Sequence, residues 1–128
     1  MSDYIGLAGL KAAGTLVQYR ACKMTAAHTV GSITNANAER PIGIVQNDPL
    51  VDEGVDIAVM GKCRAQYGGT VAAGDKLGCN DSGQLITDVE VLDGTAVDLH
   101  HIAIALEAGS TGETHYVYAI TPQMIGKE

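Results

Sequence analysis

Apolar and polar residues alternate with the two-residue period of β-strands in the central part of the chain. Two runs, residues 55–59 and 63–67, each place alternate side chains on one apolar face, and Gly61 separates them. We therefore predict two half-buried strands here. The apolar positions of the two runs are Val55, Ile57, Val59, Cys63, Ala65 and Tyr67.

Turn-forming residues interrupt the chain at intervals of about ten residues, the spacing that is typical of a sandwich or barrel of short strands. Gly68 and Gly69 form one such group, and residues 73–75 and 80–83 form two more. No helix of useful length fits between these turns. The pattern predicts an all-β fold in a single domain.

Further strands are predicted on both sides of this central part. Residues 15–21 alternate and form the first strand, residues 24–30 continue it or pair with it, and an apolar run at 42–45 follows a polar loop. Residues 102–106 and 115–120 lie on either side of a Gly-containing loop, which predicts a terminal hairpin.

The stretch from residue 87 to residue 99 mixes acidic and apolar side chains. It carries Asp88, Glu90, Asp93 and Asp98. Two interpretations stay open, an acidic excursion from the fold or an edge strand whose charges prevent pairing with other chains.

Residues 1–14 differ from the rest because three glycines interrupt them and they show no alternation. We predict an N-terminal arm at 1–14 and a β-domain at 15–128. The arm is either a loosely packed terminus or a segment that docks on a neighbouring subunit. In the second case its apolar side chains form the contact, and these are Tyr4, Ile5, Leu7 and Leu10.

The composition changes what the core can be made of. The chain of 128 residues is 46% hydrophobic, but it has no Phe and no Trp, and it contains 16 Gly. Its core must consist of Val, Ile, Leu, Ala and a few Tyr, which bury less area per side chain than large aromatics. Oligomerisation would therefore add stability that one protomer lacks.

Charge and cysteine content narrow the possible partners and compartment. The chain has 8 basic and 15 acidic residues, a net charge of −7, and no run of Lys or Arg, so we do not expect it to bind nucleic acid. No segment has the apolar length of a membrane helix, and the N-terminus lacks the positive charge of a signal peptide. Three cysteines without a CxxC spacing indicate reduced thiols in a protein made in the cytoplasm.

No catalytic motif emerges from the sequence. Residues 69–76 have the two glycines of a P-loop, but Asp75 stands where the lysine belongs and Leu77 where the hydroxyl belongs. His100 and His101 are adjacent, so on a strand they face opposite sides and cannot share a metal ion. We predict no enzymatic activity, no cofactor and no metal.

The arrangement of strands and turns resembles the capsid decoration (cement) proteins of tailed phages. The resemblance covers residues 15 to 121 and is carried by the strand near Tyr19, the Pro-Ile-Gly-Ile run at 41–44, and the strand at 55–60 leading through Gly61. It continues in the Ala-Gly-Asp-Lys-Leu turn at 73–77, Gly83, the Ala-Leu-Glu-Ala-Gly run at 105–109 and Gly112-Glu113.

The resemblance implies a small β-barrel or β-tulip that assembles as a homotrimer on the outer capsid and reinforces contacts between major capsid protein subunits. It brings no active-site residues. The predicted function is thus that of a structural virion protein, made in the host cytoplasm, whose arm contributes to the capsid contact. The alternative is a β-rich module for display or adhesion, such as a glycan-binding domain, although the chain has no Trp and only five Tyr for a sugar platform.

Overall fold

The fold is all-β, as predicted. The computed structural model describes residues 4–7, 9–34, 39, 41–87 and 99–125. Within these residues there is no helix that could span a membrane. The ten strands are β1 (Tyr4–Leu7), β2 (Lys11–Ala12), β3 (Ala21–Ala26), β4 (Thr29–Ser32), β5 (Pro41–Val45), β6 (Ile57–Gln66), β7 (Lys76–Cys79), β8 (Leu85–Thr87), β9 (Leu99–Ala105) and β10 (Thr114–Ile125).

All ten strands belong to one sheet, which curls without closing into a barrel. Its order is β2-β4-β3-β5-β6-β10-β9-β7-β8, and β1 pairs with β6 outside this path. The last strand of the path comes back to the residue that follows β6, because Leu85 forms a bridge with Tyr67 and accepts a hydrogen bond from the Gly68 N–H at 2.8 Å. This curl encloses the core.

Strand β6 is the centre of the sheet. It pairs antiparallel with β1, β5 and β10. The two strands predicted at 55–59 and 63–67 are thus joined in one strand of ten residues, because Gly61 continues the ladder instead of breaking it, pairing with both Tyr4 and Ala119. Ile57, Cys63 and Ala65 are all buried, as is Ala58, while Val59 is only half-buried.

The core consists of two clusters of small and medium-sized side chains. The larger cluster surrounds Tyr67, which is fully buried and donates its hydroxyl hydrogen to the Glu107 carbonyl oxygen at 2.6 Å. All three cysteines are buried and free of disulfides, as predicted. The smaller cluster is formed by Ala12, Leu16, Cys22, Val30, Val45, Val55 and Ile57.

The first predicted strand is misplaced, because β3 begins only at Ala21. Residues 18 and 19 form a turn in which Tyr19 adopts a left-handed conformation with φ of 72°. Its N–H donates to the Val45 carbonyl at 2.6 Å, and its carbonyl accepts from the Gln66 N–H at 2.8 Å. These bonds hold the turn against β5 and β6. The prediction for residues 24–30 left two options, and both occur: residues 24–26 continue β3, and residues 29 and 30 begin β4, which pairs antiparallel with β3.

The predicted run at 42–45 and the terminal hairpin are confirmed as β5 and as the antiparallel pair of β9 and β10. In β9, however, the small residues Ala103 and Ala105 face the core, together with Ile102, while Ile104 is only half-buried. Two predicted turns contain glycines with positive φ, Gly74 at 91° and Gly83 at 82°. The acidic stretch of residues 88–98 lies outside the described residues.

The N-terminal segment contains strands that its sequence did not predict. Tyr4–Leu7 pairs with β6, and Lys11–Ala12 pairs in parallel with β4. Gly6 makes the first pairing possible, because a Cβ at this position would lie 3.0 Å from the Ile57 carbonyl oxygen. Gly6 therefore allows close approach here, whereas a Cβ at Gly9 or Gly14 would meet no atom within 4 Å. The division between an arm at 1–14 and a domain at 15–128 stays a prediction.

Gly43 in β5 offers a test of this close packing. A Cβ at Gly43 would lie 2.5 Å from Ile57 Cγ2 and 2.6 Å from the Ala58 carbonyl oxygen, so Gly43→Ala should lower the free energy of unfolding by about 1–3 kcal/mol. Gly14→Ala is the matched control, because a Cβ there meets no atom within 4 Å. Chemical denaturation of both variants measures the difference, and equal stabilities would contradict this account of the packing.

Candidate functional site

The sheet exposes one face that combines apolar, aromatic and cationic side chains. In β6 Met60, Lys62 and Arg64 are exposed, and in β10 Tyr118 is exposed and Tyr116 half-buried, while Val117 and Ala119 are buried. We call this surface the outer face. Its members are Ile5, Met60, Lys62, Arg64, Lys76, Ile104, Tyr116 and Tyr118.

The pairing registers align these side chains in rows across the strands. Lys62 pairs with Tyr118, Tyr118 with Ile104, and Ile104 with Lys76, so one row runs across β6, β10, β9 and β7. The next row joins Arg64 to Tyr116. Directly opposite residues on one face of a sheet lie close enough to interact. The outer face is therefore one continuous surface, although its members come from distant parts of the sequence.

Exposed apolar side chains border these rows. Ile5 is 62% exposed and lies opposite Met60, which is 40% exposed. Tyr118 is 45% exposed. A contiguous patch of this kind with a polar rim is typical of a surface that binds another molecule.

Arg64 is fixed by several neighbours. Its Nη2 donates to the Tyr116 hydroxyl at 3.1 Å, and its guanidinium carbon lies 5.1 Å from the centre of the same ring. Gln46 holds its backbone, because the Gln46 Oε1 accepts from the Arg64 N–H at 3.2 Å and the Gln46 Nε2 donates to the Arg64 carbonyl at 2.8 Å. Interactions with Tyr116, and next with Tyr19, raise the pKa of the guanidinium.

Lys62 shares the aromatic partner of Arg64. Its Nζ lies 4.6 Å from the centre of the Tyr116 ring, within the distance of a cation–π interaction. The Tyr116 ring thus lies between two cations. Neither cation forms an ion pair with a carboxylate of the described residues.

A second cluster organises the loop between β9 and β10. The His115 Nδ1 lies 3.1 Å from the Glu107 Oε1, and its Nε2 lies 3.0 Å from the Glu113 Oε1. The imidazole also stacks at a tilt on Tyr67, with ring centres 5.2 Å apart. Because both ring nitrogens face carboxylates, the protonated imidazolium can donate to both at once.

The electrostatics of this loop cluster follow from those contacts. Hydrogen bonding to Glu113, and then to Glu107, raises the pKa of His115 despite partial desolvation. The hydrogen bond from the Tyr116 N–H lowers the pKa of Glu107 most, the hydrogen bond from His115 comes next, and the charge of Lys62 lowers it further. His115 and the Ser110 N–H lower the pKa of Glu113. Charged hydrogen bonds therefore hold the two ends of the loop together. We call Glu107, Glu113 and His115 the His115 clasp.

Residues 69–76, the near-match to a P-loop, form a turn before β7. The Asp75 carboxylate accepts a hydrogen bond from the Ala72 N–H at 2.9 Å, so it closes the turn. No group of three or more His, Cys, Asp or Glu side chains in the described part of the chain could hold a metal ion. A groove beside β3 contains Lys23 and Glu39, which form an ion pair with each other.

The four residues predicted for a subunit or capsid contact occupy different environments. Tyr4 is half-buried against the larger core cluster and donates to Asp56 at 2.5 Å, and Leu10 packs against the smaller cluster. Ile5 lies on the outer face, and of Leu7 the structure describes only the backbone, in β1. None of these positions has been tested as a contact, so the interface stays a prediction.

Sequence reasoning missed the cations and tyrosines of the outer face. It placed Lys62 and Arg64 on the polar side of their strand, but nothing local indicates that Tyr116 and Tyr118 lie next to them, since Tyr116 is 52 positions from Arg64 in the sequence. The only available signal was the spacing of two tyrosines at positions 116 and 118, which puts both on one face of a strand.

Comparison with known proteins identifies a solved structure with a similar fold. No protein family and no curated protein matches the chain. Among solved structures, the chain is similar to the crystal structure of the N base of the head fiber gp8.5 in bacteriophage phi29, with a TM-score of 0.64 and 14% sequence identity. The match covers 93% of this chain and 97% of that chain. At this identity, the similarity shows a shared fold over nearly the whole length of both.

The His115 clasp predicts a stability optimum in pH. The protonated His115 stabilises the loop fully below its ordinary pKa of 6.5, and this stabilisation is lost as the pH rises through its raised pKa. The ionised Glu107 and Glu113 stabilise the loop fully above their ordinary pKa of 4.5, and this stabilisation is lost as the pH falls through their lowered pKa values. Loop order should thus be greatest between these limits.

Protection of the Ser110 and Tyr116 amides against hydrogen exchange measures this order, because both N–H groups donate to the clasp carboxylates. His115→Gln is the control variant, and in it the decrease in amide protection at alkaline pH should be absent. A decrease that persists in the variant would assign the effect to another group.

Proposed function

We propose that this chain is a structural protein of a phage virion, bound to the outside of the capsid. The observation that carries the proposal is its fold, which matches the base of a phage head fiber over 93% of this chain and 97% of that one. The resemblance of its strands and turns to capsid decoration proteins supports the same class of function. Under this proposal the chain is made in the host cytoplasm and then joins the particle.

The physical properties of the outer face agree with binding to a large, preformed surface. The outer face carries side chains from several neighbouring strands, so it can contact a protein surface over all of them. Its exposed apolar side chains, with Ile5, Met60 and Tyr118 in one patch, would be removed from water in the contact. Each fully buried side chain of this size contributes about 1.5–3 kcal/mol.

The finer form of the proposal is reinforcement. We propose the major capsid protein as the partner and a homotrimer as the bound form, which would place the chain across junctions between capsid subunits. A ligand that binds only the assembled state stabilises it by mass action, and repetition of weak contacts around a symmetric ring raises the overall affinity. No catalytic step, nucleic acid or membrane is part of this function.

The second candidate is a display or adhesive module on the particle. Two observations favour it, namely that the solved structure is the base of a fiber and that Tyr118 is exposed beside Tyr116. A glycan-binding role predicts that the tyrosines bind sugar and that capsid strength does not depend on the chain. The following measurement separates the two candidates.

Capsids that lack this protein should release their genome at a lower temperature than decorated capsids. The measurement is a heating series with a dye that fluoresces on exposed nucleic acid, applied to particles from phage with and without the gene. Adding back the purified protein is the control and should restore the release temperature. Equal release temperatures would contradict reinforcement and favour display or adhesion.

Ile5 allows a point test of the predicted N-terminal contact. Deletion of residues 1–14 would also remove Leu10 and Ala12 from a core cluster, so a point variant is sharper. Ile5→Ser should leave unfolding nearly unchanged, because the side chain is 62% exposed, but weaken capsid binding about tenfold, consistent with the loss of a buried apolar side chain.

Leu50→Ser is the matched control for Ile5→Ser. Leu50 is 71% exposed and lies in the loop between β5 and β6, outside the outer face. Sedimentation of each variant with capsids measures binding. Equal affinity of Ile5→Ser and the unchanged protein would remove Ile5 from the contact.

A further inference from the structure

The charges of the chain are distributed unevenly over its surface. The chain has 15 acidic and 8 basic residues, yet the outer face contains Lys62, Arg64 and Lys76 and, among its described strand positions, neither Asp nor Glu. Lys62 and Lys76 stand at the two ends of one cross-strand row, and Arg64 lies in the next row. This face is therefore a cationic surface on an acidic protein.

The cations of the outer face are available to a partner. The ion pairs formed by lysines in the described part of the chain involve Lys11 and Lys23, which lie elsewhere. Lys62 lowers the pKa of the Glu107 carboxyl but forms no ion pair with it. A binding partner would thus not have to displace a carboxylate of this chain from Lys62 or Arg64.

Arg64 is held in place before any partner arrives. One of its nitrogens donates to the Tyr116 hydroxyl, its backbone is held by Gln46, and Tyr19 is a further neighbour. A guanidinium has five N–H donors in a rigid plane, so most remain available for the two oxygens of a carboxylate. A side chain that is already ordered loses less conformational entropy on binding.

The strained turn at Tyr19 supports the same interpretation. A tyrosine with φ of 72° is uncommon, and such conformations persist where the surrounding structure requires them. Here the backbone bonds to Val45 and Gln66 fix the turn that brings Tyr19 to Arg64.

We propose that the outer face binds an acidic segment of the major capsid protein, with a carboxylate of that segment on Arg64 and further carboxylates on Lys62 and Lys76. This inference rests on the proposed function, and it adds the chemistry of the partner surface. Charge complementarity is the argument for the occupant. The apolar side chains of the outer face add affinity, and the cations define which surface is accepted.

Binding to capsids purified from the phage that encodes this chain tests the inference. Arg64→Gln should weaken binding at least about tenfold, as expected for an arginine whose ion pair is enclosed in an interface. Arg64→Lys keeps the charge but loses the planar fork, so it should recover only part of the affinity. Lys62→Gln and Lys76→Gln should each weaken binding by a smaller factor, because a lysine contributes a single point charge.

Lys11→Gln is the matched control, since it removes the same charge from β2, outside the outer face, and should change affinity less than twofold. Raising the salt concentration should weaken binding of the unchanged protein more than binding of Arg64→Gln. Circular dichroism and thermal unfolding establish that each variant is folded. If Arg64→Gln proved unstable, the lysine variants and the salt series would still decide the question.

The outcomes separate this inference from the proposed function. If the unchanged protein does not bind capsids, the proposed function fails. If it binds and all outer-face variants bind equally well, the proposed function stands and the inference is wrong. If light scattering shows that the unchanged protein is an oligomer and the variants are monomers, and capsid binding is intact, the occupant is a second copy of the chain. That outcome also overturns the inference.

Discussion

The fold depends on the backbone pairing of β6. This strand bonds to three others over ten residues, and the rest of the sheet is reached through its neighbours β5 and β10. Because every backbone N–H and C=O removed from water needs a partner, a break at Gly61 would leave unpaired groups in the middle of the sheet. After Gly61 the strand keeps Cys63 and Ala65 in the core, while Lys62 and Arg64 lie on the outer face.

The absence of Phe and Trp is compensated by close approach between strands. Ala58, Ala65, Ala103, Ala105 and Ala119 are all almost completely buried, and Gly43 packs where no side chain would fit. Small residues reduce the distance between backbones, so van der Waals contact replaces the area that aromatic rings would bury. Tyr67 is the exception, and its buried hydroxyl is satisfied by the Glu107 carbonyl.

Sequence patterns predicted the elements whose periodicity is local. The strand at 42–45, the buried positions of residues 55–67 and the turns at Gly74 and Gly83 all follow from alternation and glycine placement. The failures have physical causes. The alternation of residues 15–21 is overridden by tertiary bonds to Tyr19, and the strand at Tyr4–Leu7 forms because Gly6 allows close contact with β6. The outer face was beyond prediction because cross-strand register alone brings Arg64 to Tyr116.

The burial of all three cysteines has a consequence for the reactivity of the chain. Desolvation raises the pKa of Cys22 and of Cys63 to about 12, and Cys79 is also buried. Since only a thiolate attacks disulfides or alkylating reagents, burial and a raised pKa make these thiols less reactive at neutral pH than an exposed thiol. A single cysteine introduced on the surface of the folded chain would therefore react with a thiol-specific label before the buried cysteines do.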